Sequence, residues 1–175
     1  MPPASLAAIL GALDRLSSHW RRSEDLGLLG RGGTWQVPPT GLAVQAQLDV
    51  LRDALALPTL RWARACGFQF SDAPFVSLFP VRMLGDPVAP AHQEPHRDSE
   101  PSQPGPPICT SVFYVRARSL VGGELAVARS GGPDLSDPVV IPPAVNTIAT
   151  LPGDRVHWVQ PLRAGERVSV VINVF

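Results

Sequence analysis

Three residues in the second half of the chain have side chains that together could bind a metal ion. His96 and Asp98 are two residues apart, and on extended backbone such residues point to the same side. His157 comes much later in the sequence. Two imidazoles and one carboxylate suit a divalent ion such as Fe(II), which they hold on one face while other coordination positions stay open. The His-X-Asp pair alone is a weak pattern, so the prediction depends on His157 joining it.

The composition limits what the protein can be. The chain has 175 residues, of which 45% are hydrophobic and 17% charged, as expected of a globular protein and not of a disordered one. Its formal net charge is zero, so we expect neither nucleic acid nor an anionic membrane as a partner. All fifteen basic residues are arginines, which excludes chemistry that needs a lysine, such as Schiff-base catalysis or a P-loop.

The cysteines and the N-terminus bear on the compartment. Cys66 and Cys109 are too few for a disulfide scaffold and do not have C-x-x-C spacing. The sequence begins without the charged start and apolar run of a signal peptide, and it contains no apolar stretch long enough to span a bilayer. We therefore expect a cytoplasmic protein without a membrane segment.

Hydrophobic spacing predicts two helices in the first part of the chain. The first has an apolar stripe from Leu6 to Leu16, and Ser5 is expected to cap it. The second is expected over residues 42–56, ended by Pro58. Its predicted inward face consists of Val44, Leu48, Leu51 and Leu55.

From residue 74 the pattern changes to short strands separated by turns. Residues 75–83 predict a strand in which Pro80 indicates an edge or a bulge. Further strands are predicted at 108–115, 124–129, 139–141, 146–151, 157–162 and 168–175. We expect a single domain over 1–175, with helical support at 1–73 and an antiparallel sandwich or barrel at 74–175.

Several motifs occur together in this second part, in one order. They are His96-Arg97-Asp98, Thr110 to Val115, Gly122-Gly123-Glu124-Leu125, Leu151-Pro152-Gly153, His157 and Arg167-Val168-Ser169. With this set the chain resembles the Fe(II)- and 2-oxoglutarate-dependent dioxygenases, in their prolyl-4-hydroxylase-like branch. The resemblance implies a mainly β (α+β) protein with a double-stranded β-helix, or jelly-roll, core. The helical first part matches no motif of that family.

The resemblance also implies a role for each matching residue. The ligands of Fe(II) would be His96, Asp98 and His157. The co-substrate 2-oxoglutarate would chelate the metal beside O2, and Arg167 would bind its far carboxylate with a planar pair of donors. Ser169 and Tyr114 would donate hydroxyl hydrogen bonds to the same carboxylate. Met83 stands where many relatives have a tyrosine, so that contact is expected to be lost or moved.

The sequence leaves three functions open. The first is hydroxylation of an unactivated C–H bond of a small molecule, such as a free amino acid or a natural-product intermediate, with ring closure or desaturation of such a substrate also left open. The second is hydroxylation of a peptide, of the prolyl type. The third, from a different class, is a cupin-like metal-binding module without turnover. Halogenation is disfavoured, because the resemblance implies that halogenases have a small residue in place of the carboxylate ligand, and here Asp98 is present.

Two expectations concern access to the site. The proline-rich loop over residues 100–107 follows Asp98 closely, and it could be either a spacer or part of a substrate lid. The last predicted strand ends at Phe175, so we expect no C-terminal extension to cover the site.

Overall fold

The computed structural model describes residues 3–28, 30–99, 102–130 and 134–175. Helix α1 spans Pro3–Arg15 and helix α2 spans Leu42–Ala65, with short 3-10 helices at Ser17–His19 and Glu24–Leu26 between them. Within these ranges, no helix is long and apolar enough to cross a membrane.

Eleven strands in the described part of the chain form two antiparallel sheets. The strands are β1 (Arg21–Arg22), β2 (Gly30–Arg31), β3 (Thr34–Gln36), β4 (Val76–Leu84), β5 (Ala91–His96), β6 (Cys109–Val121), β7 (Leu125–Val127), β8 (Val139–Ile141), β9 (Thr147–Pro152), β10 (His157–Leu162) and β11 (Ala164–Val174). The larger sheet has the order β1-β3-β4-β11-β6-β9, and the smaller has the order β2-β5-β10-β7-β8. The predicted mainly β fold with N-terminal helices and a two-sheet core is therefore confirmed.

Strand β11 separates the helical layer from the interior of the sandwich. Val168, Val170 and Ile172 pack in one hydrophobic cluster with buried residues of α1 and α2. Arg167 and Ser169 point the opposite way, toward the smaller sheet, because neighbouring residues of a strand face opposite sides. The polar side chains of the predicted site thus lie on a strand whose other face is anchored by the helices.

Helix α2 has the predicted apolar face but not the predicted end. The buried residues of that face include Val44, Leu48, Leu51 and Leu55. The helix continues through Pro58 to Ala65, so the prediction that Pro58 ends it is wrong. Thr59 and Ala63 are buried and extend the same face past the proline. Packing of this longer face outweighs the hydrogen bond that a proline removes, because tertiary contacts supply most helical stability.

Helix α1 begins earlier than the sequence suggested. It starts at Pro3, which places Ser5 inside the helix, so the predicted capping role of Ser5 is wrong. A proline is favoured in the first turn, because its missing N–H has no intrahelical partner there. The predicted stripe is confirmed, since Ile9, Leu13 and Leu16 are buried.

The main difference between predicted and observed strands concerns β5. The sequence there reads as a proline-interrupted connector, yet residues 91–96 form a strand that pairs with both β10 and β2. The register of the β5–β10 pairing shifts between the His96–His157 pair and the Gln93–Val159 pair, and Pro95 lies within this irregular stretch. Its missing N–H therefore removes no hydrogen bond from a regular β-ladder. The unpredicted strands β1 to β3 connect the N-terminal part to both sheets. That the whole chain is one domain stays a prediction.

Pro80 occupies a local edge inside the larger sheet. Strand β4 lies between β3 and β11, so it is not an edge strand of the sheet as a whole. Strand β3, however, pairs only with residues from Val81 to Met83. Beside Pro80, β4 pairs with β11 alone, which explains how a proline is tolerated there.

Candidate metal and co-substrate site

The structure brings the three predicted metal ligands together. His96 ends β5, Asp98 follows it, and His157 begins β10 as the cross-strand partner of His96. The Nε2 atom of His96 lies 3.7 Å from Asp98 Oδ1, and that of His157 lies 3.5 Å from Asp98 Oδ2. One ligand atom from each residue lies within 4.8 Å of the others. This spacing fits one ion with bonds of about 2.0–2.2 Å; the ligand roles themselves stay a prediction.

Backbone carbonyl groups hold both imidazoles in the orientation that a metal needs. His96 Nδ1 lies 2.7 Å from the carbonyl oxygen of Glu94, and His157 Nδ1 lies 3.1 Å from that of Arg155. A carbonyl oxygen only accepts, so in the neutral ring the proton is on Nδ1 and the lone pair is on Nε2. The main chain therefore selects the tautomer that binds a metal through Nε2.

His157 is poised to be a neutral ligand. The residue is only 5% exposed, and burial is the largest influence on its pKa, which it lowers. Asp98 acts in the opposite direction, whereas His96 lowers the pKa further. Because the neutral imidazole is the form that binds metals, this environment favours metal binding at neutral pH.

Arg167 is a buried cation without a carboxylate in ion-pair distance among the described residues. It is 2% exposed, and its Nη1 donates to the carbonyl oxygen of Gly123 at 3.0 Å and lies 3.8 Å from Met83 Sδ. No other described residue accepts a hydrogen bond from its Nε. Burial is the largest influence on the pKa of this guanidinium and lowers it, whereas Tyr114 and Glu124 act in the opposite direction. The position is therefore suited to an anion that supplies the missing acceptor.

Tyr114 and Ser169 lie beside Arg167, as the carboxylate-binding prediction requires. The guanidinium carbon of Arg167 is 5.1 Å from the centre of the Tyr114 ring, and Ser169 pairs with Tyr114 across β6 and β11. The Tyr114 hydroxyl is buried and has no hydrogen-bond partner in the part of the chain that the structure describes. Burial raises the pKa of Tyr114, so the phenol stays protonated and able to donate. Two orphaned donors, Arg167 Nε and Tyr114 Oη, thus occur in one small region.

One small cavity, of about 20 Å³, is lined both by the three candidate metal ligands and by Arg167. Its apolar walls are Phe79, Val81, Val112, Leu125, Val159 and Val171. Its polar lining consists of His96, Asp98, His157, Gln93, Arg167 and Ser169. Tyr114 does not line this cavity, and its contact with the site runs through Arg167. Gln93 was not predicted, because only recognition of β5 as a strand would have placed it opposite Val159.

Comparisons with known proteins give matches among solved structures. No protein-family model matches the chain, and no curated protein sequence does. An oxidoreductase of the 2OG-Fe(II) oxygenase family from Burkholderia pseudomallei is similar with a TM-score of 0.56 and 24% identity, covering 89% of this chain and 63% of its own. A Pseudomonas putida prolyl-4-hydroxylase has a TM-score of 0.62 and 16% identity, covering 99% and 87%. A Trichoplax adhaerens prolyl hydroxylase, solved with a hypoxia-inducible-factor peptide fragment, has a TM-score of 0.65 and 14% identity, covering 100% and 80%.

The chain has the fold of the 2-oxoglutarate- and Fe(II)-dependent oxygenases. The jelly-roll core implied by the motifs is thereby confirmed. This chain spans 63% of the Burkholderia protein's length. At such identities the likeness concerns the architecture alone.

An open depression of about 450 Å³ borders the three candidate metal ligands. Its lining residues are Arg97, Asp98, Ser99, Pro106 and Asp154. Arg97 Nε donates to the backbone carbonyl oxygen of Asp154 at 2.8 Å. Pro106 belongs to the proline-rich loop predicted at 100–107, of which residues 100 and 101 lie outside the described residues. The described part of that loop therefore reaches the rim of the site.

Proposed function

We propose that the protein is an Fe(II)- and 2-oxoglutarate-dependent oxygenase that hydroxylates a C–H bond. The observation that carries the proposal is that three side chains suited to bind a metal share one cavity with a buried guanidinium whose Nε has no partner among the described residues. In the balanced reaction, one atom of O2 enters the substrate as a hydroxyl group. The other enters succinate, which forms with CO2 from 2-oxoglutarate.

The protein's part in this reaction is to hold and orient the reactants. His96, Asp98 and His157 would bind Fe(II), and a single anionic ligand leaves the centre cationic enough to accept an anionic chelator. Arg167 would bind the far carboxylate of 2-oxoglutarate through its planar donors, with Ser169 as a hydroxyl donor from the same strand face. Fe(II), when bound, supplies the coordination positions and the electrons for O2 activation.

A small polar molecule is our proposal for the substrate. The depression beside Asp98 has a volume of about 450 Å³, within the range of small-molecule sites. Arg97 and Asp154 contribute groups of opposite charge to its lining. A free amino acid, which carries both an ammonium and a carboxylate, would meet complementary charges there.

A peptide hydroxylase is the second candidate. The depression is open, so an extended peptide could cross it, and the Trichoplax enzyme that shares this fold was solved with a peptide fragment. A metal-binding module without turnover is the weaker alternative. Such a module has no use for a buried and incompletely bonded guanidinium beside the metal, an arrangement that costs about 1–3 kcal/mol or more in stability.

Succinate formation tests the proposal and separates these candidates. The protein is supplied with Fe(II), 2-oxoglutarate and O2, together with free amino acids or with proline-containing peptides. We expect a free amino acid to stimulate succinate formation and to gain one oxygen atom. Stimulation by peptides alone would support the second candidate. A protein that binds Fe(II) but forms no succinate with either panel would contradict the oxygenase proposal.

Removal of residues 102–106 is expected to uncouple co-substrate turnover from product formation. Pro106 lines the depression but not the smaller cavity that is lined by Arg167 and the three candidate metal ligands. The loop's prolines restrict its backbone, so ordering it over a substrate costs little entropy. Metal and 2-oxoglutarate binding should persist, while the ratio of hydroxylated product to succinate falls. Equal loss of both products would mean that the loop supports the metal site. An unchanged ratio would mean that the substrate enters elsewhere.

A further inference from the structure

Thr110 connects the metal cluster to a second buried polar residue. Its Oγ1 lies 2.9 Å from Asp98 Oδ2 and 2.8 Å from Asn173 Oδ1. Thr110 is 0% exposed and Asn173 is 2% exposed, and the two are direct partners in the β6–β11 pairing. Polar side chains this deep in a sheet are costly unless they are hydrogen-bonded. Thr110 and Asn173 therefore need hydrogen-bond partners here, and Asp98 is one of them.

The number of hydrogen atoms restricts how these three groups can bond. The Thr110 hydroxyl has one hydrogen, so it cannot donate to Asp98 and Asn173 at once, and an ionised Asp98 only accepts. The Asn173 amide can serve as donor, because a half-turn exchanges its oxygen and its NH2 group. Asn173 then donates to Thr110, and Thr110 donates to Asp98. With these two hydrogen bonds, each donor of the Asn173–Thr110–Asp98 series has an acceptor.

We propose that Thr110 and Asn173 are positioning residues, which hold the Asp98 carboxylate in the orientation that binds the metal. The proposal rests on the metal site proposed above. Asp98 lies beyond the end of β5, whereas Thr110 and Asn173 lie within the paired strands β6 and β11. These hydrogen bonds thus connect the carboxylate of Asp98, in a loop, to residues of two paired strands. A hydrogen bond to Oδ2 also restrains rotation of the carboxylate beside the two imidazoles.

The variant Thr110→Val tests the hydrogen bond between Thr110 and Asp98, because valine keeps the branched shape and removes the hydroxyl. We expect Mn(II) affinity to fall about 10- to 100-fold, the usual effect of losing a hydrogen bond to a metal ligand. The visible spectrum of the Co(II)-loaded variant should also change, since it reports ligand geometry. Thr110→Ser restores a hydroxyl, so it should recover the wild-type affinity and spectrum. Failure of the serine variant to recover them would overturn the proposal.

Thr150→Val is the matched control for loss of a hydroxyl from the same sheet. Thr150 Oγ1 lies 2.8 Å from Ser111 Oγ, and Ser111 faces the other side of β6 from Thr110. We expect this variant to bind Mn(II) as the wild type does. Unchanged affinity in Thr110→Val, or an equal loss in Thr150→Val, would overturn the proposed positioning role.

A double-variant cycle tests whether Asn173 acts through Thr110. Asn173→Leu should weaken Mn(II) binding when Thr110 is present, yet add no further loss to Thr110→Val. If the two substitutions reduced Mn(II) affinity independently and additively, Asn173 would not act on Asp98 through Thr110, and this part of the proposal would be overturned. A wild-type protein that binds neither Mn(II) nor Co(II) would contradict the metal site itself, and with it the proposed function.

Discussion

Replacement of Arg167 by alanine is expected to weaken 2-oxoglutarate binding by about thirty-fold or more, while metal affinity stays unchanged. Arg167 is buried on β11, and its Nε has no partner within the described residues. Loss of one member of a buried, charge-assisted pair costs roughly 2–5 kcal/mol, and each 1.4 kcal/mol corresponds to about a tenfold change in affinity. Titration of 2-oxoglutarate into the Mn(II)-loaded variant measures the effect.

Two further arginine variants sharpen this experiment. Arg167→Lys keeps the charge but loses the planar donors, so we expect an intermediate affinity. Arg82→Ala is the matched control, because Arg82 on the neighbouring β4 already pairs with Glu166 at 2.9 Å. Normal 2-oxoglutarate affinity in Arg167→Ala would mean that another cation is the anchor. Arg155, which donates to the carbonyl oxygen of Arg129 at 2.8 Å, would then be examined beside Arg82.

Replacement of Asp98 by alanine is expected to abolish metal-dependent turnover while the fold survives. Asp98 contributes the carboxylate nearest to both imidazole Nε2 atoms, and it lies outside the strands. Loss of a ligand should reduce metal affinity well beyond the roughly 10–100-fold expected for a residue that only supports a ligand. Calorimetric titration with Mn(II) and thermal unfolding of the metal-free variant measure the two effects.

Asp154→Ala is the control for loss of a nearby negative charge. Asp154 lines the same depression but is not one of the three clustered residues. We expect its Mn(II) affinity to match that of the wild type. Wild-type metal affinity in Asp98→Ala would contradict the ligand assignment. An unfolded metal-free variant would contradict the expected survival of the fold, because Asp98 would then be part of the structural core.

The parts of the site that follow strand periodicity could be predicted from the sequence. Arg167 and Ser169 were expected to share a face because they are two residues apart, and both line the cavity. His157 was expected to join His96 through the motif order, and the structure pairs the two across β5 and β10. Strands β8 and β10 begin and end where the apolar runs predicted. Local patterns were sufficient for these features, because period-two alternation and turn residues determine them.

The parts that depend on pairing between distant segments could not be predicted. Strand β5 contains a proline, and only its partners β2 and β10 make it a strand. Helix α2 passes through Pro58 because buried residues follow it, a tertiary effect that helix propensity does not contain. Thr110 and Asn173 are 63 residues apart, so their contact depends on the register of β6 and β11. Without that register, Thr110 is only one more threonine in a strand.

Thermal unfolding with and without 2-oxoglutarate tests most directly whether the metal and the co-substrate share one site. A ligand at 100 times its dissociation constant stabilises the folded state by about 2.7 kcal/mol. For a chain of this length, that stabilisation raises Tm by about 5–11 °C. We predict this rise for the Mn(II)-loaded wild type, and its loss in the metal-free protein and in Arg167→Ala. Equal stabilisation with and without metal, or no stabilisation of the metal-loaded wild type, would contradict a shared site.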